Sequence, residues 1–347
     1  MIATFNVAIE FGFTWRFEMT EPWRILSLPP IAEEIVRGLF APLGDAAEVR
    51  FPGTGGRAGL HAALADAEIV IGDYTGRLRL DAEEVAAAPR LAFVQMPAVG
   101  TDSLDVAALT ARDVPVANAA GFNRRGVAEW AVGAAFALCR NLVRGDRLMR
   151  GGGWPQAELL AQRPRELHAQ RVGVVGFGAI GSEIARLFGA LGCDVSYWTR
   201  RPRPEASATY RDLDDLVASS DVLVLAVPLT DETRGLIGPE RLALLPDRAL
   251  LVNVARGGIA PDGAVLAALE SGRLAGAALD VFDTEPLPDG HPLRAHDRVL
   301  LSPHAAGGSD LSQLNLVSIV RDNVTAAVRG DGVGNVINGV NPQVRRR

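Results

Sequence analysis

Four short stretches carry residue types and spacings able to do chemistry. The first is Gly176-Phe177-Gly178-Ala179-Ile180-Gly181, which follows the apolar run 171–175. Between a strand and a helix, Gly176 permits a tight turn, Gly178 lets a pyrophosphate approach the backbone, and Gly181 lets helix and strand pack closely. The helix start offers unpaired N–H groups and partial positive charge to the phosphates, so Ala179 and Ile180 are expected contacts too. A lone glycine turn of this kind is weak evidence; its strand-to-helix setting strengthens it. An acid usually follows about 20 residues on, to hold an adenosine ribose. Here that place reads Thr199-Arg200-Arg201. A carboxylate would repel a 2′-phosphate; threonine removes the repulsion and two arginines add positive charge. The turn is therefore expected to prefer NADP, with NAD also possible. On a plain surface turn the arginines would only be solvated, and the missing acid argues against that.

The other three stretches are "VNVARGG" with Arg256, "DVFDTEP" with Glu285 and "LLSPHAAGG" with His304. Taken singly they suggest a surface arginine, a turn glutamate and a structural histidine. All three lie where successive strands should end, and together they offer a fixed cation, a carboxylate and a proton donor that titrates near neutrality. Small residues after His304 leave room around it. Asp283 reads as structural or solvated, as does Asp280 in any catalytic sense. His291 and His296 sit in a Pro/Gly/Asp loop and are expected to face solvent. No His, Cys or carboxylate spacing resembles a metal site.

The elements that must place these groups form two alternating series. From Trp23 to Ala119, apolar runs of strand length alternate with helical periodicity. A second series begins at "RVGVVGFG" and continues through "DVSYWT", "DVLVLAV", "ALLVNVA", "GAALDVF" and "RVLLSPH". Short strands rich in Val, Leu and Ala, separated by helices, predict an α/β fold with parallel sheets covered on both faces. The stretch 126–150 reads as one apolar helix, stopped by "GGGWP", and 310–330 as a final helix that returns to the first series.

The chain has 347 residues, 48% hydrophobic, with net charge −6. That suits two domains and argues against a nucleic-acid surface. The three terminal arginines read as a solvated tail. Cys139 and Cys193 lack CxxC spacing and are expected as buried thiols in a reducing cytoplasm. The longest apolar stretch, 131–139, is too short to span a membrane. Residues 1–18 read as an extra strand or as sequence ahead of a start at Met19.

Taken in order, these fragments, with "AVGTDSLD" (98–105), "NAAGFNRRGVAEW" (118–130) and "VPLTDETRGLI" (227–237), resemble the D-isomer-specific 2-hydroxyacid dehydrogenase family. The likeness is strong over roughly 95–310 and by pattern only before that. It implies a Rossmann coenzyme domain at 120–308, inserted into a flavodoxin-like substrate domain made of 1–119 and 309–347, with a cleft that closes on the substrate. It implies reduction of a 2-oxo acid to a D-2-hydroxy acid: His304 protonates the carbonyl oxygen, Glu285 orients the imidazole, and Arg256 binds the carboxylate and developing charge. Backbone N–H groups at Val99 and Gly100 would grip that carboxylate. Val227, Pro228, Val254, Ala255 and Asp280 join the expected cofactor contacts. Within the family the arginine pair points to glyoxylate or hydroxypyruvate reductases. A glutamate at 285 argues against formate dehydrogenases, which pair their histidine with glutamine. Two readings stay open beside this one: a dehydrogenase for a bulkier substrate, and a nicotinamide-sensing corepressor-like binding protein, which would keep the same three residues. Arg124 and Arg125 stand where the family has small or polar residues, and would face solvent or the cleft mouth. The apolar helix 126–143 suggests a homodimer, with Trp130 and Trp154 for packing or subunit contact. No nucleic-acid or membrane partner is expected.

Overall fold

A computed structural model describes residues 21–203 and 206–347; the reading of residues 1–18 lies outside them. The chain divides into two compact units, Met1–Ala120 with Leu314–Arg347, and Gly121–Gln313.

The first unit alternates β1 (Trp23–Ser27), α1 (Glu33–Phe40), β2 (Ala47–Arg50), α2 (Gly56–Leu64), β3 (Ile69–Ile71), α3 (Ala82–Ala86), β4 (Phe93–Gln95), α4 (Val106–Ala111) and β5 (Val116–Ala117). Its strands pair in the parallel order β2-β1-β3-β4-β5, the flavodoxin-like arrangement. Ile25, Ile69, Phe93 and Val94 are fully buried, as strands covered on both faces require.

The second unit opens on α5 (Arg124–Cys139), α6 (Leu142–Arg150) and α7 (Gln156–Ala161). The single helix expected over 126–150 is thus two helices. Asn141 takes a left-handed conformation, φ 53°, which an asparagine tolerates and which breaks the helical ladder. There follow β6 (Arg171–Val175), α8 (Ala179–Ala190), β7 (Asp194–Trp198), β8 (Thr209–Tyr210), α9 (Leu213–Ala218), β9 (Val222–Leu225), α10 (Pro239–Leu244), β10 (Ala249–Asn253), α11 (Asp262–Glu270), β11 (Leu274–Leu279) and β12 (Val299–Leu301). The strands pair in the parallel order β12-β11-β10-β9-β6-β7-β8. The order reverses between β6 and β9, the switch point where open α/β sheets bind ligands at their carboxyl ends. Alanines 128, 131, 134 and 135 form the buried face of α5, packed against Val174, Val224 and Val252 of the sheet.

The last helix, α12 (Asp310–Arg329), buries Val320, Val324 and Ala327 against Ile25 and Phe93 of the first sheet and Val36 of α1. The terminal arginines are exposed, as expected of a tail, but Arg346 is anchored. Arg346 stacks over the Trp23 ring at 4.6 Å and lies 3.4 Å from the Glu68 carboxylate, so a cation and its alkyl stem cover an aromatic edge of the sheet. Among the described residues no helix is long and apolar enough to cross a membrane.

Candidate active site

The glycine turn connects β6 to α8 at the switch point. Gly176 sits at φ 102°, and a Cβ there would stand 2.5 Å from the Ala226 carbonyl oxygen. A Cβ on Gly181 would stand 1.9 Å from the Gly176 carbonyl oxygen. A Cβ on Gly178 would meet nothing within 4 Å. Two of the three glycines therefore serve the turn itself, and the third leaves an open approach. Gly178 caps α8 without a side-chain hydrogen bond, so the first-turn amides of Ala179, Ile180 and Gly181 have no intrahelical acceptor. This cradle fits the pyrophosphate of a dinucleotide.

At the carboxyl ends of β10, β11 and β12 the structure gathers Arg256, Glu285 and His304. His304 Nδ1 is 2.7 Å from Glu285 Oε2. Glu285 Oε1 accepts the Phe282 N–H at 3.0 Å. Burial opposes ionisation of Glu285. The His304 hydrogen bond, the Phe282 amide and the charges of His304 and Arg256 outweigh it and hold the carboxyl below its usual range. With Nδ1 engaged, the other ring nitrogen, Nε2, remains for a reactant, and the imidazole side chain is 46% exposed.

The backbone around His304 is held from beneath. His304 itself has φ 54°, and its N–H reaches the Asp280 carbonyl at 2.8 Å. The Asp280 carboxylate accepts the N–H groups of Ala305 and Ala306 at 2.8 and 3.0 Å. Asp280, expected on the cofactor, is buried, and its carboxylate also anchors the His304 loop. Asn253 does the same for Arg256: its amide donates to the Arg256 carbonyl at 3.1 Å and accepts from Ala255 N at 3.0 Å. Ala255 and Val254 are buried beside it.

The end of β7 is built differently. Trp198 O accepts the Gly176 N–H at 2.8 Å, which ties this strand end to the glycine turn. The buried Tyr197 hydroxyl accepts from Arg203 N at 2.9 Å and donates to Arg203 O at 3.0 Å. That clasp shapes the turn that presents Thr199, Arg200 and Arg201. Thr199 is half-buried and both arginines are exposed. Arg200 pairs with Glu232 at 2.7 Å, with both side chains 69% exposed. Glu232 belongs to the loop after β9 that Val227 and Pro228 begin. Thr233 braces that loop, donating to the Pro228 carbonyl at 2.7 Å and accepting from Thr230 N at 2.7 Å. An acid thus does stand near the arginines, brought from a distant segment; nothing in the local sequence signalled it.

Val99 and Gly100 lie after β4 in the first unit. The Val99 carbonyl accepts from Asn118 Nδ2 at 2.8 Å. Neither of their N–H groups meets a backbone acceptor among the described residues. His291 and His296 are not simply solvent-facing: each is half-buried, and its Nδ1 accepts a backbone N–H two residues on. Asp283 and Asp262 exchange backbone-to-carboxylate hydrogen bonds, a structural link. Arg125 pairs with Glu129 and Glu183. Cys139 and Cys193 are buried free thiols. Trp130 packs against the core, whereas Trp154 is 78% exposed. Among the described residues no three His, Cys, Asp or Glu side chains cluster as a metal site would require.

Residues 132–306 match the family described as D-isomer specific 2-hydroxyacid dehydrogenase, NAD binding domain. A glyoxylate reductase from Aeropyrum pernix is 37% identical over 271 residues, covering 75% of this chain and 80% of that protein. A D-3-phosphoglycerate dehydrogenase from Archaeoglobus fulgidus is 34% identical over 264 residues, covering 75% of this chain and 50% of that protein. The holo form of Rhodotorula graminis D-mandelate dehydrogenase superposes with a TM-score of 0.84 at 25% identity, covering 93% of this chain and 100% of that one.

Proposed function

The chain belongs to the D-isomer-specific 2-hydroxyacid dehydrogenase family, and from that premise we propose that it reduces a small 2-oxo acid, of glyoxylate or hydroxypyruvate type, with NADPH preferred to NADH. It is an oxidoreductase that uses a nicotinamide cofactor and acts on 2-oxo and 2-hydroxy acids. The observation that carries the mechanism is the 2.7 Å contact between His304 and Glu285.

When bound, the nicotinamide supplies the hydride that reaches the substrate's carbonyl carbon. His304 gives the proton to the carbonyl oxygen from Nε2. Glu285 fixes the ring and balances its positive charge. Arg256 binds the substrate carboxylate through its planar fork and stabilises charge gathering on the carbonyl oxygen. Val99 and Gly100 offer N–H groups to the same carboxylate. Gly176, Gly178 and Gly181 hold the pyrophosphate, with Val227, Pro228, Val254 and Ala255 along the rest of the cofactor.

Support for NADPH comes from Thr199, Arg200 and Arg201. The Arg200–Glu232 pair is exposed, and such pairs contribute about 0.2–1 kcal/mol. A charge-assisted hydrogen bond to a 2′-phosphate contributes about 1.5–3 kcal/mol. A 2′-phosphate, with nearly twice the charge of a carboxylate and three acceptor oxygens, competes with Glu232 for Arg200.

The test is a panel of glyoxylate, hydroxypyruvate and bulkier 2-oxo acids, each assayed with NADPH and NADH. The highest kcat/KM should fall to a two- or three-carbon acid with NADPH. Equal or better use of NADH overturns the cofactor reading, and a bulky acid as the best substrate overturns the substrate reading. The phosphoglycerate dehydrogenase relative favours the bulkier alternative. No turnover of any 2-oxo acid would instead favour a nicotinamide-sensing binding protein. Leu142, Val143, Met149, Trp154 and Leu160 form an exposed apolar run along α6 and α7, which supports a homodimer; light scattering of the purified chain decides it.

A further inference from the structure

A cavity of about 460 Å³ lies within the seven-stranded unit, where β10, β11 and β12 begin. This is the opposite end of the strands from Arg256, Glu285 and His304, none of which lines it. Its volume is that of a small-ligand pocket. On a chain of net charge −6, its lining carries Arg144, Arg163, Arg165, Arg248 and Arg298 against one carboxylate, Asp297.

That carboxylate is already engaged, at 3.8 Å by Arg144 and by Arg147, and Arg144 also pairs with Glu158 at 2.6 Å, so the surplus positive charge comes from the other four arginines. Among the described residues Arg163, Arg165, Arg248 and Arg298 have no ion-pair partner. Arg248 is fixed by the carbonyls of Gln162 and Arg163, at 3.1 and 2.7 Å, and Arg298 by that of Leu274 at 3.3 Å. Each guanidinium has five N–H donors, so donors remain. Arg144 Nε is buried with no acceptor at all. Burial lowers the pKa of Arg165; Cys139 and Asp221 oppose the shift and Arg248 adds to it. Like charges gathered around one recess repel one another, and a bound anion relieves that repulsion.

Two further observations coincide here. Arg163 and Arg248 are non-glycine residues with φ 53° and 65°. Such strain collects at functional sites, and His304 shares it. The cavity also receives the start of α6, whose N-cap, Asn141, makes no side-chain hydrogen bond. First-turn amides and the helix dipole add to the positive field.

We propose that this cavity binds a compact oxyanion bearing carboxylate or phosphoryl groups. The full chain, with NADPH and oxalate saturating the catalytic end, is titrated calorimetrically with citrate and, separately, with inorganic phosphate at constant ionic strength. One saturable site per chain is expected for at least one probe. Tighter citrate identifies a carboxylate ligand, and tighter phosphate a phosphoryl one. Arg165→Gln and Arg163→Gln should each weaken binding roughly ten- to hundredfold, the worth of a charge-assisted hydrogen bond. The Arg163 side chain is exposed, so Arg163→Gln keeps the test decisive if Arg165→Gln does not fold. No saturable binding of either probe up to about 10 mM, or binding untouched by both substitutions, overturns the proposal.

Discussion

At the carboxyl ends of β10, β11 and β12 the reactive side chains belong to a hydrogen-bonded chain that reaches the buried Asp280, whereas at the end of β7 they face water. His304 rests on Glu285 and on a loop whose amides are bound by Asp280. Among the described residues Arg200 rests on Glu232, with both side chains mostly exposed. The first arrangement fixes geometry, because each partner is positioned by the next. The second fixes little, and the same turn can accept a different charge pattern without disturbing the core. Chemistry is thus built where substitution is costly, and cofactor choice where it is not.

The sharpest way to break this contrast is His304→Asn. Loss of a positioned general acid lowers turnover by roughly 10²–10⁴, while NADPH binding, followed by its fluorescence, stays near the parent's. Retention of more than about a tenth of the rate removes His304 from that role. Asp280→Asn comes next. An amide nitrogen would confront one of the two N–H groups now bound by the carboxylate, at a cost of about 1–3 kcal/mol. Urea unfolding should show that loss, with kcat falling and NADPH affinity preserved; unchanged stability would mean the loop does not depend on Asp280.

Glu285→Gln sharpens the comparison through pH. The lowered pKa keeps Glu285 ionised across the neutral range. Reduction needs a proton on His304, so the rate falls as pH rises. Without the neighbouring negative charge that fall moves to lower pH, and the acid side keeps most of its activity. An unmoved alkaline limb, with chemistry shown to be rate-limiting, separates the two side chains functionally. The smallest effects belong to the β7 corner. Arg200→Ala should raise KM for NADPH about tenfold and leave NADH nearly unchanged. Glu232→Gln should lower KM for NADPH by no more than about fivefold, the worth of an exposed pair. Equal effects on both cofactors would show that this turn does not read the 2′-phosphate.

The two regions also differed in how plainly they could be read from sequence. Val, Leu and Ala runs of strand length announced parallel strands, and Gly176, Gly178 and Gly181 announced the turn, because local sterics dictate both. Arg256, Glu285 and His304 could be placed at strand ends for the same reason. The acid beside Arg200 could not be foreseen, since Glu232 lies on another loop and only the folded sheet brings the two together. Nor could the break at Asn141, where one residue interrupts an otherwise helical pattern. The Asp280 anchor was hidden because a buried carboxylate that accepts backbone amides has no spacing signature.

The route of the chain through its two units has a further consequence, during synthesis. The unit Gly121–Gln313 is one continuous stretch, so all its strands are available before the last residues have been added. The first unit is not. Its outer cover comes from Val320, Val324 and Ala327, Gln95 takes the Asn323 amide at 2.7 Å, and Val116 receives the Ile337 N–H at 2.9 Å. During synthesis strands β1 to β5 therefore wait for residues 314–347, while the catalytic strand ends are already made.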